Sequence, residues 1–225
     1  MAIAIGDIHG CLAPLQRLIE RLPPAAELVF LGDYIDRGPA SAQVVQYLRR
    51  LSRERPCRFL RGNHEQLMLD AVASPANIGW WLQNGGSATL ESYGERPTAW
   101  ASGEDRGAFL QPHAAFYASL ALYHEDAQTI YVHAGIDPDV PRLADQDPMT
   151  LLWIREKFFR RAERWQGKTV IFGHTPTLTM GLPMEQVFRS GRFIGIDTGC
   201  VYGGCLTAID ADSGVLYQEP AARRM

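Results

Sequence analysis

The chain alternates short apolar runs with glycine-containing turns, and amphipathic segments follow several of these turns. Strand-length apolar runs occupy residues 2–5, 28–31, 57–60, 129–132, 169–172, 193–196, 206–209 and 215–217. Apolar positions then recur with a period near 3.6 in segments that begin near Leu12, Val44 and Leu67, which predicts three helices that bury one face. Strands that alternate with helices are typical of an α/β fold with buried sheets.

Two longer segments interrupt this alternation. Residues 75–118 contain Trp80 and Trp81 and predict a helical insertion, which could either shape a substrate pocket or simply pack onto the body of the protein. Residues 148–166 predict one further helix. Its inward positions would be Leu151, Leu152, Phe158, Phe159 and Ala162. We expect a single domain over residues 1–225, with the insertion at about 75–118.

Polar side chains with metal-binding chemistry follow five of the predicted strands. They are Asp7, His9, Asp33, Asn63, His133 and His174. Ligands of α/β folds bind at the carboxyl ends of strands, so these positions predict one shared site. A set of oxygen and nitrogen donors without a thiolate suits manganese, iron or zinc, whereas calcium prefers oxygen alone. The sequence therefore predicts a metal centre.

Composition and charge narrow the class of protein further. The net charge is −3, so no general basic field favours nucleic-acid binding. Hydrophobic content is 46%, yet no apolar run reaches the length of a membrane span. The amino terminus begins with a predicted strand where a secretory signal would stand, and the four cysteines are scattered. We therefore expect a cytoplasmic protein.

Several sequence blocks resemble the signatures of the phosphoprotein phosphatase family, most closely those of the short bacterial and phage serine/threonine phosphatases. The blocks are Asp7-Ile8-His9, Gly32-Asp33-Tyr34-Ile35-Asp36-Arg37-Gly38, Gly62-Asn63-His64-Glu65, His133-Ala134-Gly135 and Gly173-His174-Thr175. They occur in the family's order and extend from residue 6 to about residue 199. The resemblance implies the calcineurin-like metallophosphoesterase fold, in which a sandwich of two β-sheets is flanked by α-helices.

The resemblance also implies a site with two divalent metal ions. It divides the ligands into Asp7 and His9 for the first ion, Asn63, His133 and His174 for the second, and Asp33 as the bridge between them. Manganese is the expected metal, with iron or zinc as alternatives. Two ions about 3.5–4 Å apart can share a hydroxide that forms near neutral pH. In this family the hydroxide attacks phosphorus directly, without a phosphoenzyme intermediate.

Four further residues match the family's catalytic positions. His64 would be the general acid that protonates the leaving oxygen, and Asp36 would orient it and raise its pKa through an opposite charge. Arg37 and Arg155 would bind the non-bridging phosphate oxygens. Arg155 has rivals in its predicted helix, namely Lys157, Arg160 and Arg161. Asp197 is either a carboxylate that holds a ligand histidine or an ordinary turn residue.

The substrate is less closely defined than the chemistry. The resemblance implies hydrolysis of phosphomonoesters, chiefly phosphoserine and phosphothreonine in proteins, with phosphotyrosine as a further option. Related phosphodiesterases and nucleases often have a second histidine where this chain has Pro176, which cannot bind a metal. Hydrolysis of diadenosine tetraphosphate or another small phosphate ester is the alternative, although those hydrolases often depart from the first two blocks. A binding module without activity would lack a ligand or the acid, and none is missing.

The last block differs from that of the well-known eukaryotic members. Those proteins are longer and carry a tyrosine-bearing loop near the end, whereas residues 200–205 here lead directly into the final predicted strands. We therefore expect a catalytic domain that acts on a phosphorylated protein or small phosphate ester without a regulatory subunit, a nucleic acid or a membrane as partner.

Overall fold

A computed structural model describes residues 1–103 and 106–221 of the chain, and ten strands lie in this part. The strands are β1 (Ala2–Ile5), β2 (Glu27–Phe30), β3 (Cys57–Phe59), β4 (Tyr123–Glu125), β5 (Thr129–Val132), β6 (Thr169–Phe172), β7 (Phe188–Ser190), β8 (Phe193–Gly195), β9 (Cys205–Asp210) and β10 (Leu216–Pro220). They form two five-stranded sheets, ordered β10-β9-β1-β2-β3 and β4-β5-β6-β8-β7. The eight strands expected from the sequence are all present, and the short edge strands β4 and β7 add to them.

The helices vary from one turn to three. They are α1 (Leu12–Arg21), α2 (Ser41–Leu51), α3 (Asn63–Ala73), α4 (Ile78–Trp81), α5 (Ser87–Ser92), α6 (Pro97–Ser102), α7 (Ala114–Ala118), α8 (Pro148–Trp153) and α9 (Glu156–Phe159). Short 3-10 turns accompany them, and a π-helical turn at Leu82–Gly86 separates α4 from α5. No helix in the described ranges is long and apolar enough to cross a membrane.

Both sheets have a parallel centre, and this arrangement positions the site. Strands β1, β2 and β3 run parallel in the first sheet, with α1 and α2 as their connections. Parallel strands need such crossovers, because a short hairpin can join only antiparallel neighbours. Strands β5, β6 and β8 are likewise parallel in the second sheet. Each group of parallel strands therefore delivers the residues that follow it to one edge of its sheet.

The core divides into layers between and outside the sheets. Ala4 and Val29 of the first sheet pack with Tyr131 and Ile171 of the second, and all four are fully buried. The outer face of the first sheet is covered by α1, α2, α3 and the insertion, and that of the second by α8 and α9. This order of helix, sheet, sheet and helix confirms the predicted two-sheet α/β fold.

The segment predicted as an insertion is helical, and its two tryptophans have different environments. Trp81 is fully buried and packs edge-on against Trp100, with ring centroids 5.3 Å apart. Trp80 is 55% exposed. Helices α4 to α7 lie in this segment, of which Glu104 and Asp105 fall outside the described residues. Packing onto the body is therefore the role of Trp81 but not of Trp80.

The single helix expected over residues 148–166 is wrong. Helix α8 ends at Trp153, Ile154 is extended, and α9 covers only Glu156–Phe159 before a 3-10 turn at residues 162–164. The apolar spacing that predicted one helix fits two short ones equally well, because both bury residues against the same sheet. Ile154 is β-branched, which weakens helical structure at the break. Phe159 is only partly buried, in contrast to the expectation.

Candidate metal centre

The residues predicted as metal ligands lie together where the carboxyl ends of the two sheets meet. Asp33, which follows β2, is at the centre of the group. Its Oδ2 lies 3.4 Å from Nε2 of His9, and its Oδ1 lies 3.4 Å from Nε2 of His133. Potential ligand atoms of His9, Asp33 and His64 lie within 4.8 Å of one another, as do those of Asp33, His133 and His174. Asp33 thus belongs to two overlapping groups.

Asn63 and Asp7 complete the cluster. Oδ1 of Asn63 lies 2.9 Å from Nε2 of His133 and 2.8 Å from Nδ1 of His174. Both carboxylate oxygens of Asp7 accept from the backbone N–H of His174, each at 3.1 Å. Residues from five strand ends and both sheets therefore surround one small volume.

The hydrogen bonds of two histidines set their tautomers. Nδ1 of His9 donates to the carbonyl oxygen of Ile35 at 2.8 Å, and Nδ1 of His133 donates to that of Leu31 at 2.9 Å. A carbonyl oxygen can only accept, so each Nδ1 carries the proton and each Nε2 keeps a lone pair directed toward Asp33. Metal-binding histidines are commonly oriented through the second ring nitrogen in this way.

Burial opposes charge throughout the cluster. Desolvation, followed by the charges of neighbouring carboxylates, raises the pKa of Asp7 and of Asp33 well above the usual range. Desolvation also lowers the pKa of His9 and His174, and it lowers that of His133 to about 3. The imidazoles are therefore neutral, the form that binds metals, and the crowded carboxylates would be stabilised by cations. The donor set fits two divalent ions.

The backbone of the site is strained. Within the described ranges, the non-glycine residues with positive φ are His9, Asp33, Asp36, Arg37 and His174, at 44° to 70°. All five are predicted site residues. Such conformations cost about 1–3 kcal/mol each and persist only where surrounding contacts enforce them. Here the strain turns the chain sharply after β1, β2 and β6, so that side chains point into the shared volume.

Asp36 is held by residues of the insertion. Its carboxylate accepts from the Thr89 hydroxyl at 2.6 Å, from Nε1 of Trp81 at 2.9 Å and from Nδ1 of His64 at 2.7 Å. Burial raises the pKa of Asp36 to about 7, whereas these donors favour its charged form. The insertion thus fixes Asp36, and Asp36 fixes the ring of His64. Nε2 of His64 then lies 3.9 Å from Oδ2 of Asp33. The expected rise in the pKa of His64 is wrong, because burial, followed by the charges of Arg37 and Arg155, lowers that pKa well below its ordinary value.

Glu65 is a buried residue to which the sequence analysis gave no role. Its Oε2 accepts from the backbone N–H of Asp33 and of Gly62, both at 2.9 Å, and its Oε1 accepts from that of Tyr34 at 2.8 Å. Glu65 therefore joins the loop after β2 to the start of α3. Glu65 stands three residues after Gly62 at the start of a predicted helix, where a glutamate commonly accepts the backbone N–H of the N-cap residue, and this position could have revealed it. Trp81 and Thr89 had no comparable signal.

The two predicted arginines lie at the open side of the cluster. Nη1 of Arg37 donates to Nε2 of His9 at 2.6 Å, and its backbone N–H donates to Gly85 of the insertion. Nη1 of Arg155 donates to the carbonyl oxygen of His174 and to the hydroxyl of Thr175, both at 3.3 Å. The extended residue Ile154, which separates α8 from α9, places Arg155 where its side chain contacts His174.

The three basic residues that were alternatives to Arg155 for phosphate binding form ion pairs with other residues. Lys157 pairs with Asp137, Arg160 with Glu156 and Arg161 with Asp139. Asp197 is buried at the same edge, where its Oδ1 accepts from the N–H of Gly199 at 3.0 Å. In the hydrogen bonds of residues 1–103 and 106–221, Asp197 holds no imidazole, so it forms a turn beside Asp7.

Comparison with known proteins agrees with this geometry. The sequence profile of the calcineurin-like phosphoesterases matches residues 2–187, so the chain belongs to the calcineurin-like phosphoesterase family. It is a metal-dependent phosphoester hydrolase of the phosphoprotein phosphatase type, as predicted from the sequence.

Two kinds of named relative are similar to this chain over most of its length. Serine/threonine-protein phosphatase 1 of Salmonella typhimurium is 33% identical over 208 residues, which are 90% of this chain and 88% of that protein. An asymmetrical bis(5'-nucleosyl)-tetraphosphatase, PrpE, of a Geobacillus species (strain WCH70) is 28% identical over 229 residues, 91% of this chain and 87% of that protein.

Solved structures support the fold. A structure provisionally described as a diadenosine tetraphosphatase has a TM-score of 0.68 at 24% identity, with 99% of this chain and 94% of that one covered. A protein serine/threonine phosphatase from Saccharomyces cerevisiae has a TM-score of 0.61 at 17% identity, with 100% of this chain and 80% of that one covered.

We predict that Trp81→Phe destabilises the protein by about 1–3 kcal/mol, because it removes a donor from the buried Asp36 carboxylate. Urea unfolding measures this change in the free energy of unfolding. Trp80→Phe is the matched control: that side chain is 55% exposed, and its loss should stay within about 0.5 kcal/mol. Equal, small effects of the two substitutions would contradict the role given to Trp81.

Proposed function

We propose that this protein is a dinuclear metallophosphatase that hydrolyses phosphomonoesters, chiefly phosphoserine and phosphothreonine in proteins. The observation that carries the proposal is the pair of overlapping groups, His9-Asp33-His64 and Asp33-His133-His174, that share the buried Asp33, with two arginines beside them. Phosphotyrosine presents the same phosphate group to such a site and remains within the proposed chemistry.

The proposed ligands are those that the sequence indicated. Asp7 and His9 would hold one ion, and Asp33 would serve both. Asn63, His133 and His174 would complete the second. When bound, two such ions neutralise phosphate charge and lower the pKa of a water molecule enough to make it a nucleophile near neutral pH. Manganese suits this mixture of carboxylate, amide and imidazole donors, and iron or zinc would also fit.

The two arginines would bind the substrate's phosphate. A guanidinium presents several N–H donors in one plane, which matches two phosphate oxygens at once. Arg37 and Arg155 lie on the same open side of the cluster, at His9 and His174 respectively. Together they would fix the phosphate against the metal ligands and stabilise the charge that develops on its oxygens.

His64 would supply the proton that the leaving oxygen needs. Its Nδ1 is engaged by Asp36, which fixes the ring, and its Nε2 faces the cluster near Asp33. Because Nδ1 already carries a proton, a second proton on Nε2 would make the ring an imidazolium, whose charge the Asp36 carboxylate would stabilise, and that second proton would be directed at a phosphate ester held there. Donation of that proton avoids the release of a strongly basic alkoxide, and such general acid catalysis typically contributes 10²–10⁴-fold to the rate.

The substrate class rests on similarity and on one residue. The relative with 33% identity is named a serine/threonine-protein phosphatase, which supports a phosphoprotein substrate. Pro176 stands two places after His174 and cannot act as a further ligand, which favours monoesters over diesters. Hydrolysis of diadenosine tetraphosphate is the second candidate, because other relatives carry the name bis(5'-nucleosyl)-tetraphosphatase.

The proposal includes a cytoplasmic location and activity without a regulatory subunit. The four cysteines are free thiols, which fits a reducing compartment and supports a cytoplasmic location. The turn at residues 200–202 leads within three residues into β9, which supports a catalytic domain that works without a regulatory subunit.

We predict that Asp33→Asn loses both metal ions and activity, because a neutral amide cannot bridge two cations as a carboxylate does. Elemental analysis of dialysed protein and hydrolysis of p-nitrophenyl phosphate test this together. The control is Asp212→Asn, since the Asp212 side chain is 64% exposed. Full metal content with normal turnover in Asp33→Asn would refute the bridging role.

His64→Asn should lower kcat for phenyl phosphate by about 10²–10⁴-fold, since phenolate is a poor leaving group that needs the proton. The loss on p-nitrophenyl phosphate should be smaller, because p-nitrophenolate leaves readily without one. His124→Asn, on β4, serves as the control. Equal losses on the two esters would argue against His64 as the acid.

Metal-stripped protein should recover activity on addition of Mn²⁺. We expect release of phosphate from p-nitrophenyl phosphate and from a phosphoserine peptide at rates well above the rate at which diadenosine tetraphosphate is cleaved into nucleotides. Preferential cleavage of the dinucleotide would retain the metal centre but replace the substrate class. An absence of activity on all three substrates, with two metals bound, would reject a general phosphatase.

A further inference from the structure

An apolar cavity of about 370 Å³ opens beside the candidate metal centre. Its lining includes Pro176, Leu178 and Met184 of the segment between β6 and β7. Tyr202 of the turn before β9 and Arg155 line it as well. The metal ligands need none of these apolar side chains, so the cavity requires a separate explanation.

The cavity adjoins the proposed phosphate position at two points. Arg155 lines it and also donates to the carbonyl oxygen of His174. The guanidinium of Arg37 lies over the ring of Tyr202, with its carbon 5.6 Å from the ring centroid. A phosphate bound by both arginines would therefore stand at the mouth of the cavity. Groups close to that phosphate in the substrate could reach inside.

Two large apolar side chains in the cavity lining remain more than half exposed in the folded protein. Leu178 is 54% exposed and Tyr202 is 52% exposed, and the two side chains line the same cavity. Large exposed apolar side chains that cluster in a concave surface are typical of a binding site. The flexible thioether of Met184 can adapt to different apolar shapes.

The two threonine hydroxyls of the lining already donate their protons within the protein. The hydroxyl of Thr179 donates to the carbonyl oxygen of Pro176 at 2.7 Å, and that of Thr198 donates to the carbonyl oxygen of Cys205 at 2.7 Å. The acceptor atoms of a nucleobase placed here would lose hydrogen bonds to water without replacement by these hydroxyl protons, which is unfavourable. An aliphatic or aromatic hydrocarbon group has no such requirement.

We propose that this cavity binds an apolar side chain, such as Leu, Met or Phe, that lies next to the phosphorylated residue of a protein substrate. The inference rests on the proposed phosphoprotein function and adds the sequence preference of that same site. Leu178 and Met184 are then specificity-determining residues, and they contact the substrate beside the reacting phosphate.

Phosphoserine peptides that carry Leu or Ala at each flanking position in turn test the proposal on the wild-type protein with added Mn²⁺. At the position that reaches the cavity, Leu should raise kcat/KM about tenfold over Ala, as expected for burial of a few methylene groups. Leu178→Ala should lower the ratio of kcat/KM for the Leu peptide to that for free phosphoserine by a similar factor.

Leu216→Ala is the matched control, because Leu216 is 38% exposed on β10 and outside the cavity lining. Cleavage of all peptides at one rate, with Leu178→Ala equal to Leu216→Ala, would overturn the inference and leave the proposed function intact. A loss by Leu178→Ala confined to diadenosine tetraphosphate would assign the cavity to a base and overturn it as well. Hydrolysis of p-nitrophenyl phosphate without cleavage of any phosphopeptide would refute the phosphoprotein function itself.

Discussion

Buried negative charge at the junction of the two sheets is the constraint on which the rest of this structure depends. Asp7, Asp33, Asp36, Glu65 and Asp197 are all buried there. Isolated carboxylates in such surroundings would be strongly unfavourable, so each must be neutralised, hydrogen-bonded or paired with a cation. Backbone N–H groups satisfy Glu65 and Asp7, and side-chain donors satisfy Asp36. Asp33 accepts the backbone N–H of His64 at 3.1 Å and is shared by both ligand groups, so cations are its natural further partners, as they are for the proposed ligand Asp7.

This constraint accounts for the unusual backbone of the strand ends. Left-handed conformations at His9, Asp33 and His174 are unfavourable in isolation, yet they turn the side chains into the volume between the sheets. The inter-sheet packing of Ala4 against the second sheet keeps the two edges together and makes the strain tolerable. The insertion contributes in the same way, because Gly85 accepts the N–H of Arg37. Structural and chemical roles therefore coincide in the same short loops.

The sequence predicted those strands and ligands that follow from a pattern of neighbouring residues. Apolar runs that end in a glycine and a polar residue identified the parallel strands, and so the candidate ligands, because a parallel sheet brings its strand ends together. The break at Ile154 was not predicted, because apolar spacing is the same for one helix and for two short ones. The contacts of Trp81 and Thr89 with Asp36 were not predicted, because Asp36 is more than forty residues distant in the chain. Contacts of that kind follow from packing, and no local pattern encodes them.

Two groups of relatives with different named substrates share one chemical centre, and the layout of the fold explains how this is possible. The parallel strands and their loops supply groups that interact with a phosphate, which is common to a phosphoprotein and a dinucleotide. Residues 176–184, which follow His174 between β6 and β7, and the turn before β9 lie beside that centre and contribute no proposed metal ligand. Their side chains can change without disturbing the buried charges, so substrate choice can vary there while the catalytic centre stays constant. Specificity in this chain is therefore expected to depend on exposed apolar residues such as Leu178, which the buried site leaves free to vary.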